Sequence, residues 1–269
     1  MGTLSRTNLL KGFAILAVVA IHVTNVFIGR NLWLINWDQV LRFSVPLFTA
    51  LSGLALAKKY AGGLQLKEFY SRRLLKLLPL YVLWSAVYWL VTRQPFPFAY
   101  HLYFVPMIFQ AYLIFPFILP LIKKLPWVSL IISGVLQIWY FQVTNTPSND
   151  QLQYIWFAAW QFYFVLGVFL AFVDIHRIRL IGLMAAAVGL FWSIRDTHAL
   201  LETGKNLIWA TRFTRVPVLL YSTGIIIWSI SHVKKTALSD FARRFITFLG
   251  VHSYFIYLSH VFFIHLLFH

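Results

Sequence analysis

Apolar runs long enough to cross a lipid bilayer recur from one end of this 269-residue sequence to the other, joined mostly by short basic connections. A membrane helix needs about 20 mostly apolar residues to cross ~30 Å of hydrocarbon. Within that layer there is no water, so every backbone N–H and C=O must be bonded inside the protein. By this measure there are nine candidate spans: 9–28, 37–57, 74–92, 102–122, 127–143, 153–173, 180–194, 206–232 and 245–268. The seventh is short and the eighth opens on polar residues. Charged residues make up 11% of the chain, against about 25% in a soluble domain, which is too few to clothe a surface facing water. The reading is all-α: a single polytopic transmembrane helical bundle over 1–269, with about nine spans.

Lys and Arg number 23 against 7 Asp and Glu, a net charge of +16. In a soluble protein such an excess suits nucleic acid. Here the charges fall between apolar runs, and they alternate. The N-terminal tail carries Arg6 and Lys11, the second loop Lys58, Lys59, Lys67, Arg72 and Arg73, the fourth Lys123 and Lys124, the sixth Arg177 and Arg179, and the eighth Lys234, Lys235, Arg243 and Arg244. Among the loops between them, the first holds only Arg30, the third only Arg93, and 144–152 none; in the seventh, Asp196 and Glu202 balance Arg195 and Lys205. Positive charge is retained on the cytoplasmic side, so the expected N-terminus is cytoplasmic and the C-terminus outside. Trp33, Trp37, Trp127, Tyr154 and Trp156 sit near span ends, as interfacial aromatic belts do. No small-residue cleavage site follows the first run, which is therefore expected to stay as an anchor. The sequence has no cysteine, which excludes disulfides and thiolate chemistry. No metal site, soluble domain or internal repeat is expected.

Ionisable groups inside spans are costly and point to function or to buried pairing. Lys11 and His22 lie eleven positions apart, about three full turns, so they share one helix face ~16 Å apart along the axis. A snorkelling lysine and a hydrogen-bonded structural histidine would also account for them. Arg72, Arg73 and Lys76 lead into the third span on the same side as Lys11. Guanidinium forks match phosphate oxygens, although a basic run also serves as a topology signal or a contact with anionic lipid heads. Arg42 lies near the outer end of the second span, Arg212 and Arg215 at the start of the eighth, His101 at the start of the fourth and His260 inside the last. An isolated histidine in such a place is more often structural than catalytic.

Five stretches, in order, resemble the acyltransferase-3 family of bacterial integral membrane acyltransferases. Leu10 to His22 resembles that family's opening basic residue, ten intervening residues and histidine. Arg42-Phe-Ser-Val-Pro-Leu-Phe-Thr-Ala-Leu-Ser-Gly53 is most similar to the branch that modifies surface polysaccharides. The others are the Arg72-Arg73 run ending in Pro79 and Tyr81, His101-Leu-Tyr-Phe-Val-Pro106 with Phe109 and Tyr112, and Leu249-Gly-Val-His-Ser-Tyr-Phe-Ile-Tyr-Leu-Ser-His260. Two positions depart from the family's pattern: Lys11, where arginine is more usual, and Thr49, where phenylalanine is. The family usually has ten spans, so the chain is expected to lack the final helix, leaving a flank for a second copy in a homo-oligomer to cover.

The resemblance implies transfer of an acyl group, usually acetyl, from cytoplasmic acyl-CoA to a hydroxyl on an envelope glycan or similar acceptor, in a bacterial plasma membrane. Lys11, Arg72 and Arg73 would then hold the CoA phosphates, and His22 would be the general base. The ~16 Å between Lys11 and His22 is comparable to an extended phosphopantetheine arm, so phosphate anchor and base would be the two ends of one tunnel. Arg42, His101 and His260 are candidates for the acceptor side. The rival reading is a transporter or exporter of a small acid or polysaccharide precursor. Basic residues in a membrane cavity and Pro46, Pro106, Pro116 and Pro120 in the apolar runs suit it as well. An inactive scaffold in an envelope-synthesis complex is a third.

Overall fold

A computed structural model describes residues 3–29, 31–93, 101–144, 152–232 and 238–268. Arg30, Lys234 and Lys235, which enter the loop-charge pattern, and most of the charge-free 144–152 loop lie outside the described residues. The described residues are almost entirely helical. In chain order the helices are α1 (Thr3–Phe27), α2 (Leu32–Leu41), α3 (Ser44–Lys59), α4 (Leu66–Thr92), α5 (Phe104–Lys124), α6 (Pro126–Thr144), α7 (Gln161–Phe169), α8 (Ile175–Glu202), α9 (Leu207–Ala210), α10 (Val216–His232), α11 (Asp240–Val251) and α12 (Ser253–Phe268). Two 3₁₀ turns, Leu152–Ile155 and Phe157–Ala159, precede α7.

Six helical stretches among the described residues are long and apolar enough to cross a membrane, or seven if the pair α11 and α12, bent by 84°, forms one span. Each of the nine apolar runs contains helix, but not all are continuous spans. The run 180–194, short by hydropathy, is the middle of the 28-residue α8. Its ends carry Arg177, Arg179, Arg195 and Asp196, which pull down the hydropathy without stopping the helix. Asp174 starts α8 by accepting the His176 amide at 3.1 Å. The run 206–232 is the single turn α9, an irregular stretch and the 17-residue α10. The run 153–173 is two 3₁₀ turns and the nine-residue α7.

That last segment shows how non-helical backbone is accommodated in an apolar chain. Gln110 of α5 donates to the Ile155 carbonyl at 2.8 Å and accepts from the Phe157 amide at 3.2 Å. Gln137 of α6 donates to the Ala159 carbonyl at 3.0 Å and accepts from the Phe162 amide at 3.2 Å. Ser133 and Gln161 exchange bonds at 2.6 and 2.7 Å. Side-chain amides replace the i→i−4 bonds that a helix would supply, meeting the requirement that buried backbone be satisfied.

On α8 the large apolar side chains point outward. On α8 the buried positions are Gly182, Ala186, Gly189, Ser193 and Thr197, a stripe at helical spacing, while Leu180, Met184, Val188 and Phe191 are more than half exposed. Small residues inside and large ones outside is the pattern of a helix packed in lipid. The stripe lets α8 lie against α10: a methyl group on Gly189 would collide with the Tyr221 backbone, and one on Gly224 with the backbone of Ala186.

The chain's contacts group into two compact units: Met1–Leu51 with Val173–Tyr257 and Leu267–His269, and Ser52–Phe172 with Leu258–Leu266. The first is unit 1 and the second is unit 2.

Candidate functional site

In unit 1, α1 runs unbroken from Thr3 to Phe27, so Lys11 and His22 do lie on one continuous helix, and both are half-buried. α11 packs closely along the N-terminal half of α1. A methyl group on Gly250 would meet the Asn8 carbonyl and one on Gly12 the Ile246 carbonyl. Gly12, next to Lys11, therefore fixes the helix that carries both predicted residues.

Unit 1 also contains a polar network that sequence reasoning largely missed. Asp38 and Gln39 of α2 are fully buried. Arg42, one turn on, donates to both Asp38 oxygens, Nε to Oδ2 at 2.8 Å and Nη2 to Oδ1 at 2.7 Å, and its guanidinium lies 4.5 Å over the Phe213 ring. Gln39 adds a bond from Nε2 to Asp38 Oδ2 at 3.0 Å. Arg215, just before α10, donates Nη1 to Asp196 Oδ2 at 2.6 Å and Nη2 to Gln39 Oε1 at 2.6 Å and Thr197 Oγ1 at 2.9 Å. Ser193 closes the circuit by donating to Gln39 Oε1 at 2.8 Å. Arg212 lies 3.6 Å over the Trp209 ring. Arg42, Arg212 and Arg215 are 7%, 6% and 5% exposed. They are interior residues of unit 1, held where α2 gives way to α3 and α9 to α10. The signal available in the sequence was the i, i+4 spacing of Asp38 and Arg42, which joins opposite charges on one helix face.

In unit 2 the basic pair divides. Arg72 is exposed and forms an ion pair with Glu68 one turn before it. Arg73 is half-buried between two aromatic rings, with its guanidinium 5.6 Å from the Phe69 centroid and 5.5 Å from that of Tyr112. One arginine thus stands at a surface and its neighbour is held by stacking.

Unit 2 brings His101 and His260 together. Their rings are edge-to-face with centroids 5.4 Å apart, and they are 2% and 5% exposed. Tyr88 of α4 packs against His101 at 4.7 Å. The Tyr88 hydroxyl donates to the Leu258 carbonyl at 3.0 Å and accepts from the Phe262 amide at 2.9 Å. These are the two groups that an unbroken α12 would join to each other, so the phenol occupies the helical ladder around His260. Histidines 159 residues apart in sequence thus lie in direct ring contact, both buried. Two adjoining imidazoles can store and pass a proton near neutral pH.

Of the predicted residues, then, Lys11 and His22 share α1, His101 and His260 share a pocket, and Arg42 belongs to the ion-paired network of unit 1. A family model described as an acyltransferase domain matches residues 5–269. No curated protein and no solved structure matches the chain.

Proposed function

This chain belongs to the acyltransferase family whose domain spans it, and is a multi-pass membrane protein; on that premise we propose that it moves an acyl group, acetyl in the first instance, from acyl-CoA to a hydroxyl of an envelope glycan or similar acceptor. The family match is the observation that carries this reading. It is supported by the unbroken α1, which keeps Lys11 and His22 on one face, and by the presence of cationic side chains suited to phosphate. In the proposed reaction the acceptor oxygen attacks the thioester carbonyl carbon and His22 takes the hydroxyl proton. The C–S bond then breaks, and the proton passes to the departing sulfur so that CoA leaves as the thiol. General-base assistance of this kind contributes about 10²–10⁴ in rate.

Lys11, Arg72 and Arg73 are assigned to the CoA phosphates, Lys11 as a point charge and the arginines as forks. Arg42, His101 and His260 are assigned to the acceptor end of the reaction. The loop charges favour a cytoplasmic N-terminus and donor entry from the cytoplasm; the assignment to a bacterial plasma membrane rests on the family resemblance.

The test uses purified protein in proteoliposomes with acetyl-labelled acetyl-CoA and a crude envelope glycan fraction. We expect label to appear in glycan and free CoA to accumulate, and His22→Ala to abolish both while the protein still elutes as the wild type does. Retained transfer by His22→Ala would remove His22 from the mechanism. Movement of a small acid across the membrane without consumption of acetyl-CoA would favour a transporter.

A further inference from the structure

Unit 1 carries a cluster that the chemistry assigned to His22 does not use. Arg42, Arg212 and Arg215 are buried with Asp38, whereas Asp196 pairs with Arg215 through a side chain that is 33% exposed, and both Arg42 and Arg212 lie close enough to Arg215 for their charges to repel. The five named side chains sum to one positive charge. Arginines gathered inside a membrane protein are expensive and are kept for a purpose.

Beside the cluster is a cavity of about 910 Å³ lined by Ile35, His198, Glu202, Lys205, Asn206 and Leu207, among others. Cluster and cavity meet at a single indole. Arg212 lies 3.6 Å over the Trp209 ring, and Lys205, which lines the cavity, lies 5.7 Å from the same ring. They also meet on α8, where Thr197 holds Arg215 and His198 faces the cavity. The volume falls within the roughly 300–1,000 Å³ usual for small-molecule sites, much larger than a bare phosphate requires. The polar side chains of the lining are Lys205, His198, Glu202 and Asn206, the last of which accepts from the Trp209 amide.

We propose that this cavity binds a phosphate ester of a polyol, with the phosphate drawn to Lys205 and the neighbouring Arg212 and the polyol hydroxyls facing Glu202 and His198. The cations supply the charge complement of a tetrahedral anion, whereas Glu202 accepts hydroxyl hydrogens, as does His198 through Nδ1, its Nε2 being bonded to Asn36 Oδ1 at 2.8 Å. A sugar phosphate or a phosphoglycerol headgroup has this chemistry. Naming the ligand as the acyl acceptor rests on the proposed acyl transfer; the binding itself does not.

The experiment titrates the purified full chain in neutral detergent with glucose 1-phosphate and with glucose, and in parallel measures thermal stability in nanodiscs of phosphatidylglycerol or phosphatidylcholine. Glucose 1-phosphate should bind and glucose should not. Lys205→Gln, at an exposed position that leaves the fold intact, should weaken binding about tenfold, the effect of one charge-assisted bond. Arg212→Lys, which keeps the charge and loses the fork, should weaken it less. Saturating CoA should leave the affinity within about twofold. Stabilisation by phosphatidylglycerol alone would uphold the site and place the phosphate on a lipid; binding of the soluble ester would place it on a glycan precursor. No phosphate-dependent binding in either arm, equal affinity in Lys205→Gln, or displacement by CoA would overturn the proposal. His22→Ala should retain the binding, so loss of acetyl transfer in that variant bears on the base alone.

Discussion

Asp38→Leu offers the sharpest test of the buried network in unit 1. Asp38 is fully buried and accepts two bonds from Arg42 and one from Gln39. Removing it leaves a guanidinium that is 7% exposed with its charge uncompensated by its helix neighbour, and breaking a buried pair in this way costs roughly 3–5 kcal/mol. Replacing both partners, Asp38→Leu with Arg42→Met, removes the stranded charge. What remains is the Gln39 amide without its acceptor, a penalty of about 1–3 kcal/mol. The double variant should therefore be more stable than the single one by about 2 kcal/mol, the signature of a coupled pair. At roughly 2–4 °C per kcal/mol for a chain of this order of size, Asp38→Leu should lower the melting temperature by about 10 °C and the second substitution should recover about half of that. The assay is the loss of the monodisperse peak by fluorescence-detected size exclusion after stepwise heating in one detergent. A double variant as unstable as Asp38→Leu, or more so, would show that Asp38 and Arg42 are not coupled as a buried ion pair.

Other substitutions have outcomes set by the same structure. Gly12→Val should separate α11 from α1, because the new side chain meets the Ile246 carbonyl; we expect a loss of about 1–3 kcal/mol from overpacking, read in the same heating assay, together with a lower transfer rate through displacement of His22. Gln137→Leu should leave the Ala159 carbonyl and Phe162 amide without the bonds they now make, costing about 2–4 kcal/mol for the two; protease nicking around residues 152–161 checks it. Tyr88→Phe removes the hydroxyl from the α12 ladder and should change acetyl transfer by less than about tenfold, because the helix can close its own bond; His260→Phe, by contrast, should reduce transfer about 10²-fold or more if the imidazole pair moves a proton. Arg73→Gln should raise the KM for acetyl-CoA with kcat held within about twofold, the pattern of lost uniform binding.

Much of the fold was legible because a membrane imposes one rule on every segment. Each apolar run had to become helix, and each contains helix in the structure. What hydropathy could not see was how the backbone in a run is satisfied. The segment around Phe157 is as apolar as a span, yet Gln110 and Gln137 from neighbouring helices supply its hydrogen bonds, so it has no need to coil. α8 misled in the opposite direction: its charged ends lowered the average, but Arg195 and Asp196 sit on a helix whose buried face is marked by small residues rather than by hydrophobicity.

The site was legible in proportion to its locality. Lys11 and His22 are related by helix periodicity alone, so eleven residues of sequence sufficed to place them on one face. Arg42 was visible as an anomaly, but its partners were not equally so: Asp38 is one turn away, whereas Arg215 reaches Gln39 across 176 residues of sequence. His101 and His260 each looked like a solitary structural histidine. Their juxtaposition depends on α12 lying beside α4, with Tyr88 set into the helical ladder, and no local pattern encodes that. The two long-range groupings differ in kind. The arginine network is tied by hydrogen bonds through Arg42 and Arg215 and so is built to hold a shape and a field. The histidine pair packs edge to face, with Tyr88 against His101, and an imidazole exchanges a proton near neutral pH where a guanidinium does not. Of the two, the histidines are therefore the better candidates for moving a proton, and the arginines for setting where an anion comes to rest.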